Sequence, residues 1–383
     1  MTKRKELKLA FVLVLASLVV SLGIVEVSLR LSSLPDPWTT QNFTVDPVNQ
    51  QVSNLAIQYD PVLGYIARPG FRGPIGKWIS SHGEMGVRLN ANFPKDLPLP
   101  PLPKGGIVAV GDSFTYGSEV DDSESWPAQL EAILGVPVVN AGAGGYGIDQ
   151  AVLRAEQLLD AVRPSAIIVS FIPNAVERNQ RSVETGLVRP YFDVVGGRLE
   201  LRNVPVPYYR PTAKHIGRAR AILGYSYTAY WVANRFGKRT EWLVFEYETR
   251  NIHNKGVEVS CLLWPRLAER VVGRNTRLIA LAQYAGIHVS GHDTSRKDRQ
   301  VEKILDCARQ AGFLVVDSYS TLRQLFEQDP AAFWPLWVKQ ANDKDKHTGH
   351  MSVAGNRFTA ELVSRAIRSE LPELLPTIAG HEL

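Results

Sequence analysis

Cysteine is nearly absent from this chain: Cys261 and Cys307 are the only two in 383 residues. That excludes a scaffold of several disulfides. It leaves open whether the two pair in an oxidising compartment or stay as buried thiols. Familiar zinc spacings are missing too, because no Cys or further His cluster completes a ligand set. His347 and His350 with Asp343 and Asp345 form the one group with any metal-ligand character. No internal repeat and no low-complexity segment is found. No long basic stripe interleaved with aromatics runs along the chain, so nucleic acid is not an expected partner. Charge is modest, at 21% against 45% hydrophobic residues, an ordinary balance for a globular protein with a sizeable core. The net charge of +5 is unevenly placed: residues 1–30 carry +3, which leaves only +2 for the rest.

Charge is missing altogether from Leu9 to Val25. That run lies at the short end of the roughly 17–25 residues a bilayer-crossing helix needs. Lys3, Arg4, Lys5 and Lys8 precede it, which predicts a cytoplasmic N-terminus and an exported remainder at a cell inner membrane. The alternative is a cleaved signal peptide, with Ser21-Leu-Gly23 as a weak cleavage site.

Four segments are expected along the chain: a tail and anchor (1–30), an extension with a stiff linker (31–104), a main domain (105–370) and a tail (371–383). Turn signals at Asp60-Pro61, Gly64, Pro69-Gly70 and Gly73 break up the extension, and Pro94–Lys104 holds five prolines in eleven residues. From residue 105 strands alternate with helices, which predicts a parallel sheet covered on both faces. The expected strands are 107–110, 136–139, 166–171, 287–289 and 313–316. The expected helices are 124–134, 150–162, 265–285, 297–311 and 353–367. Residues 175–264 interrupt the rhythm as an insertion near the site mouth. It has a hairpin about Gly196-Gly197 and a helical stretch rich in Tyr225, Tyr227, Tyr230 and Trp231.

Four short segments carry chemistry. Gly111-Asp112-Ser113 follows the first strand, where a serine hydroxyl is exposed at the sheet edge and backbone N–H groups point toward a developing oxyanion. A plain turn would read the same way. Asn140-Ala-Gly142-Ala-Gly144-Gly145-Tyr146-Gly147 follows the second strand, and its four glycines suggest close approach to something bound. Its spacing is wrong for a dinucleotide loop. Asn174 ends the third strand and could donate its amide. His347-Thr-Gly-His350 leads into the last helix and supplies a base for a serine.

In order and context these segments resemble the blocks of the SGNH/GDSL hydrolase family. Ser113 matches its nucleophile, Gly145 and Asn174 its oxyanion donors, and His350 its histidine. The resemblance implies a flavodoxin-like α/β/α sandwich. Residues 1–104 more loosely resemble the leader of membrane-anchored bacterial members, through Glu26-Val-Ser-Leu-Arg30, Leu63-Gly-Tyr and Gly86-Val-Arg88. Two departures stand out. Ala175 replaces the usual Asp, and Thr348 and His347 stand where the orienting acid is expected.

The expected activity is ester hydrolysis by Ser113, with His350 as base and the Ser113 N–H, Gly145 N–H and Asn174 amide as oxyanion hole. Asp345 is the first choice for the acid. Asp343, His347, an acid remote in sequence, or a Ser-His dyad with no acid are the alternatives. No metal or organic cofactor is required. The expected partners are an ester-bearing small molecule or carbohydrate, such as an O-acylated surface polysaccharide, and the membrane through residues 9–25. An acyltransferase on the same residues and a non-catalytic binding protein are the rival readings.

Overall fold

The computed structural model describes residues 3–32, 56–94, 96–184, 187–207, 218, 223, 226–236, 249–291, 295–339 and 349–376. These fall into two compact units, drawn from residues 1–55, 185–187 and 208–249, and from residues 56–184, 188–207 and 250–383.

The first unit is dominated by helix α1 (Lys3–Leu31). Between Leu9 and Val25 it is apolar on every side, and large side chains such as Phe11 (69% exposed) and Ile24 (62%) are largely uncovered. A helix with no polar face suits lipid rather than a water-soluble core. A second described helix, Tyr227–Arg235, falls in the expected aromatic-rich stretch, whose Tyr225 lies outside the described residues.

The second unit begins with two antiparallel hairpins. These are β1 (Ile57–Asp60) with β2 (Gly64–Ala67), and β3 (Arg72–Ile75) with β4 (Trp78–Ser81). The chain then enters β5 (Ile107–Val110), a short helix α2 (Ser113–Tyr116), α3 (Trp126–Leu134), β6 (Val138–Asn140), α4 (Ile148–Val162), β7 (Ala166–Phe171) and α5 (Asn174–Arg178). Strands β8 (Tyr191–Val195) and β9 (Arg198–Arg202) form the hairpin expected about Gly196-Gly197. Strands β10 (Arg277–Ala282) and β11 (Leu314–Asp317) complete a five-stranded sheet.

That sheet is parallel throughout, in the order β6-β5-β7-β10-β11. This is the doubly wound order in which chain direction across the sheet reverses beside the first strand. Both β5 and β7 are buried along their whole length, as strands covered on both faces must be. On one face Ile107, Ala109 and Ile168 pack with Trp126 and Leu130 of α3 and with Ala360, Val363 and Ile367 of the last helix, Val353–Glu370. Each fully buried Val, Leu or Ile contributes about 1.5–3 kcal/mol. Period-two alternation turns Val108, Val110, Ile167 and Val169 to the other face, where α4 and the helix Gly256–Arg270 lie. Cys261 on that helix is bonded to Cys307 on the helix Ser295–Gln310.

Several expected elements differ. The stretch 265–285 is not one helix. The helix ends at Arg270, Gly273 and Asn275 turn the chain in left-handed conformations, and Arg277–Ala282 is a central strand. A short apolar run reads alike as buried helix or buried strand, and its two neighbouring strands decide the matter. Residues 287–289 lie in a helical turn, Gly286–Ser290, rather than a strand. Residues 256–264, expected in the insertion, lie in the helix Gly256–Arg270, which packs on α4.

Candidate active site

Ser113 opens α2, immediately beyond the carboxyl end of β5. The Asp112 side chain caps that helix by accepting from the Phe114 N–H at 2.9 Å, a capping role to which aspartate is well suited. Burial pushes the Asp112 carboxyl above its usual range, and Arg178, donating to it at 3.1 Å, pulls in the opposite direction. The Ser113 side chain faces the loop before the last helix, and its Oγ lies 2.9 Å from His350 Nε2.

The His350 loop is held by backbone bonds to the segment before it. Val338 N–H donates to the His350 carbonyl at 2.8 Å, and Gly349 N–H to the Val338 carbonyl at 3.0 Å. Gly355, five residues on, passes so close to the Leu336 carbonyl that a Cβ there would lie 2.0 Å from its oxygen. Only glycine lets the last helix begin at this distance.

His350 Nδ1 meets a carboxylate, and that carboxylate is Glu119. Its Oε2 lies 3.1 Å from Nδ1 and also accepts the His350 backbone N–H at 2.7 Å. An ionised carboxylate can only accept, so Nδ1 carries the ring proton and Nε2 presents its lone pair to the Ser113 hydroxyl. Asp345, Asp343 and His347, considered for this position from sequence, lie outside the described residues. Glu119 is an acid remote from the histidine in sequence, which no motif singles out. Its signal was faint: an acidic residue a few positions past the serine, in a loop with no regular pattern.

The backbone of Glu119 is left-handed, with φ of +68°, an uncommon state for a residue with a side chain. Arg88 holds the loop in this shape. Its guanidinium donates to the carbonyls of Tyr116 (2.9 Å), Gly117 (2.5 Å) and Val120 (2.8 Å), and to Asp122 Oδ1 (2.9 Å). The Arg88 and Asp122 side chains are both wholly buried. Arg88 is itself tied to the sheet, since its N–H donates to the Asn140 carbonyl at 2.7 Å. Beside it, His82 shares a 2.8 Å bond between Nε2 and the Tyr116 hydroxyl, and burial pushes its pKa down to about 4.

The glycine-rich segment after β6 passes next to the serine, since a Cβ on Gly144 would lie 4.0 Å from that of Ser113. Gly145 is left-handed, with φ of +80°. Tyr65, from β2, donates its hydroxyl to the Gly144 carbonyl at 2.6 Å, and its ring meets Tyr146 edge-on at 5.3 Å. Burial raises both phenols above their ordinary range, so each stays a hydrogen-bond donor. Asn174 begins α5 after β7, the strand beside β5. One turn later Arg178 reaches Asp112 and the Tyr146 carbonyl, each at 3.1 Å. This links the ends of all three strands. Ala175, where an acid was expected, is buried. Among the described residues no three His, Cys, Asp or Glu side chains cluster in a way that could hold a metal ion.

No family model and no curated protein matches the chain. Solved structures similar to it include a member of the lipolytic protein G-D-S-L family from Veillonella parvula, at 13% identity, covering 69% of this chain and 99% of that one, with a TM-score of 0.36. A catalytic mutant of Axe2, an acetylxylan esterase from Geobacillus stearothermophilus, is similar at 15% identity over 72% of this chain and 98% of its own, with a TM-score of 0.39. LAE5, an alpha/beta hydrolase enzyme from the metagenome of Lake Arreo, is similar at 14% identity over 69% and 95%, with a TM-score of 0.39.

Proposed function

We propose that this chain is a serine ester hydrolase of the SGNH/GDSL type, with Ser113, His350 and Glu119 as its triad. The observation that carries the reading is the unbroken relay from Ser113 Oγ to His350 Nε2 at 2.9 Å, and from Nδ1 to Glu119 at 3.1 Å. Ser113 Oγ attacks the ester carbonyl carbon while Nε2 takes its proton. Glu119 stabilises the imidazolium that forms. The carbonyl oxygen becomes an oxyanion, held by the N–H groups of Ser113 and Gly145 and by the Asn174 amide. The leaving alcohol takes the proton back from Nε2, and an acyl-serine remains. Water, activated by the same nitrogen, then releases the acid. A non-catalytic protein on this fold is disfavoured, because Glu119 offers the carboxylate that Thr348 and His347 do not.

The substrate class in this reading is a carboxylic ester, more narrowly an O-acyl group on an exported carbohydrate. Export is supported by the basic residues ahead of the charge-free run in α1 and by the Cys261–Cys307 bond, which suits an oxidising compartment. An uncleaved anchor is supported by Glu26, near the end of α1. Its carboxylate accepts from Ser226 Oγ and from the Tyr227 and Thr228 N–H groups at 2.9–3.0 Å.

A fluorophosphonate probe tests the reading. It should label Ser113 alone, as mapped by mass spectrometry, and Ser113→Ala should abolish ester hydrolysis. Labelling elsewhere or unchanged hydrolysis overturns it. Product analysis with and without an acceptor sugar separates hydrolysis from acyl transfer.

A further inference from the structure

The helix Tyr227–Arg235 is fastened to α1 at a particular height. The charge-free run Leu9–Val25 ends one residue before Glu26. At 1.5 Å per residue that run spans about 25 Å, close to the ~30 Å of a hydrocarbon core. Glu26 therefore marks the level at which the apolar part of the bilayer would end. Its carboxylate takes the first N–H groups of the helix, Tyr227 at 3.0 Å and Thr228 at 2.9 Å. Arg30 donates to the same carboxylate at 2.9 Å, with its guanidinium 5.2 Å from the Tyr227 ring centroid. Trp231, four residues on from Tyr227, lies no more than about 6 Å along the helix from that level.

The same helix exposes what a water-facing helix would not. Trp231 is 48% exposed, Val232 41% and Phe236, just past its end, 76%, while Tyr230 is buried. Indole and phenol rings are enriched where hydrocarbon gives way to headgroups, being apolar in body and polar at the tip. We infer that Tyr227–Phe236 lies in the outer interfacial layer of the bilayer, with Trp231, Val232 and Phe236 against phospholipid. This rests on the anchored reading of α1 above.

The experiment uses the full chain with its disulfide intact, reconstituted in phosphatidylcholine/phosphatidylglycerol vesicles. Single nitroxide labels are placed at Leu18→Cys, Trp231→Cys, Phe236→Cys and Val272→Cys. Collision with oxygen, which concentrates in lipid, is compared with collision with a water-soluble nickel chelate. The oxygen-to-nickel ratio at 231 and 236 should exceed that at 272 several-fold, with 18 higher still. If 18 reads lipid while 231 and 236 match 272, the interfacial inference falls and the anchor stands. Low collision with both reagents at 231 and 236 means protein covers this face, which also overturns it. A water-like reading at 18 overturns the anchor and this inference together.

Discussion

One carboxylate oxygen of Glu119 receives His350 twice, from its backbone N–H at 2.7 Å and from its Nδ1 at 3.1 Å. The double contact fixes ring orientation and tautomer together. It also ties the loop after the serine to the loop before the last helix, from opposite ends of the domain's sequence.

Glu119→Gln keeps the side chain's shape and removes its charge. Turnover on a simple ester should fall by on the order of 10²–10⁴-fold, with the circular dichroism spectrum unchanged. Asp345→Ala is the comparator. An equal loss there, with Glu119→Gln active, would assign the orienting role to Asp345.

Asn174→Ala should lower kcat by about 10²–10³-fold, typical for one oxyanion donor, and leave KM nearly as it was. The oxyanion exists only near the transition state, so ground-state binding should not change. A rise in KM at constant kcat would place Asn174 in substrate binding instead.

Arg88→Ala leaves Asp122 as a buried charge without its partner. Breaking such a pair costs about 3–5 kcal/mol, read as a lower urea midpoint. Arg88→Lys keeps the charge but cannot span three carbonyls and a carboxylate. It should retain more stability than Arg88→Ala and still lose turnover, because the Glu119 loop is no longer held. Wild-type kcat in Arg88→Lys would show that the loop keeps its shape unaided.

His82 makes stability depend on pH in a defined direction. Burial holds its pKa at about 4, below the 6.5 of an unperturbed imidazole. Between these values the unfolded chain binds a proton that the folded protein does not, so stability falls as pH drops from about 6.5 to about 4. Above 6.5 the ring is neutral in both states and contributes no slope. Urea midpoints for wild type and His82→Gln should converge as the pH is lowered through this window. A constant separation would contradict the assignment.

The parts of the site that were legible in sequence are local. Ser113, Gly145, Asn174 and His350 each follow or precede a regular element, and the motif sits within a few residues of the strand end or helix start that presents it. Glu119 was not legible for the opposite reason. Its position depends on a left-handed loop residue and on Arg88, which arrives from a separate hairpin region. No short-range pattern encodes that meeting. The same division runs through the fold. The strand Ala166–Phe171 and the hairpin at Gly196-Gly197 were readable from a continuous apolar run and from turn residues. Arg277–Ala282 was not, because six mostly apolar residues become a strand only when β7 and β11 bond to them.

Tyr65 and Arg88 reach the serine's surroundings from chain that precedes β5. The proposed catalytic geometry is therefore not portable with its motifs. A fragment starting at residue 105 would keep Ser113, Asn174 and His350 but lose the side chains that brace their loops. Exchanging the front of the protein for that of a relative would swap more than a tether. It would replace two struts of the proposed reaction centre.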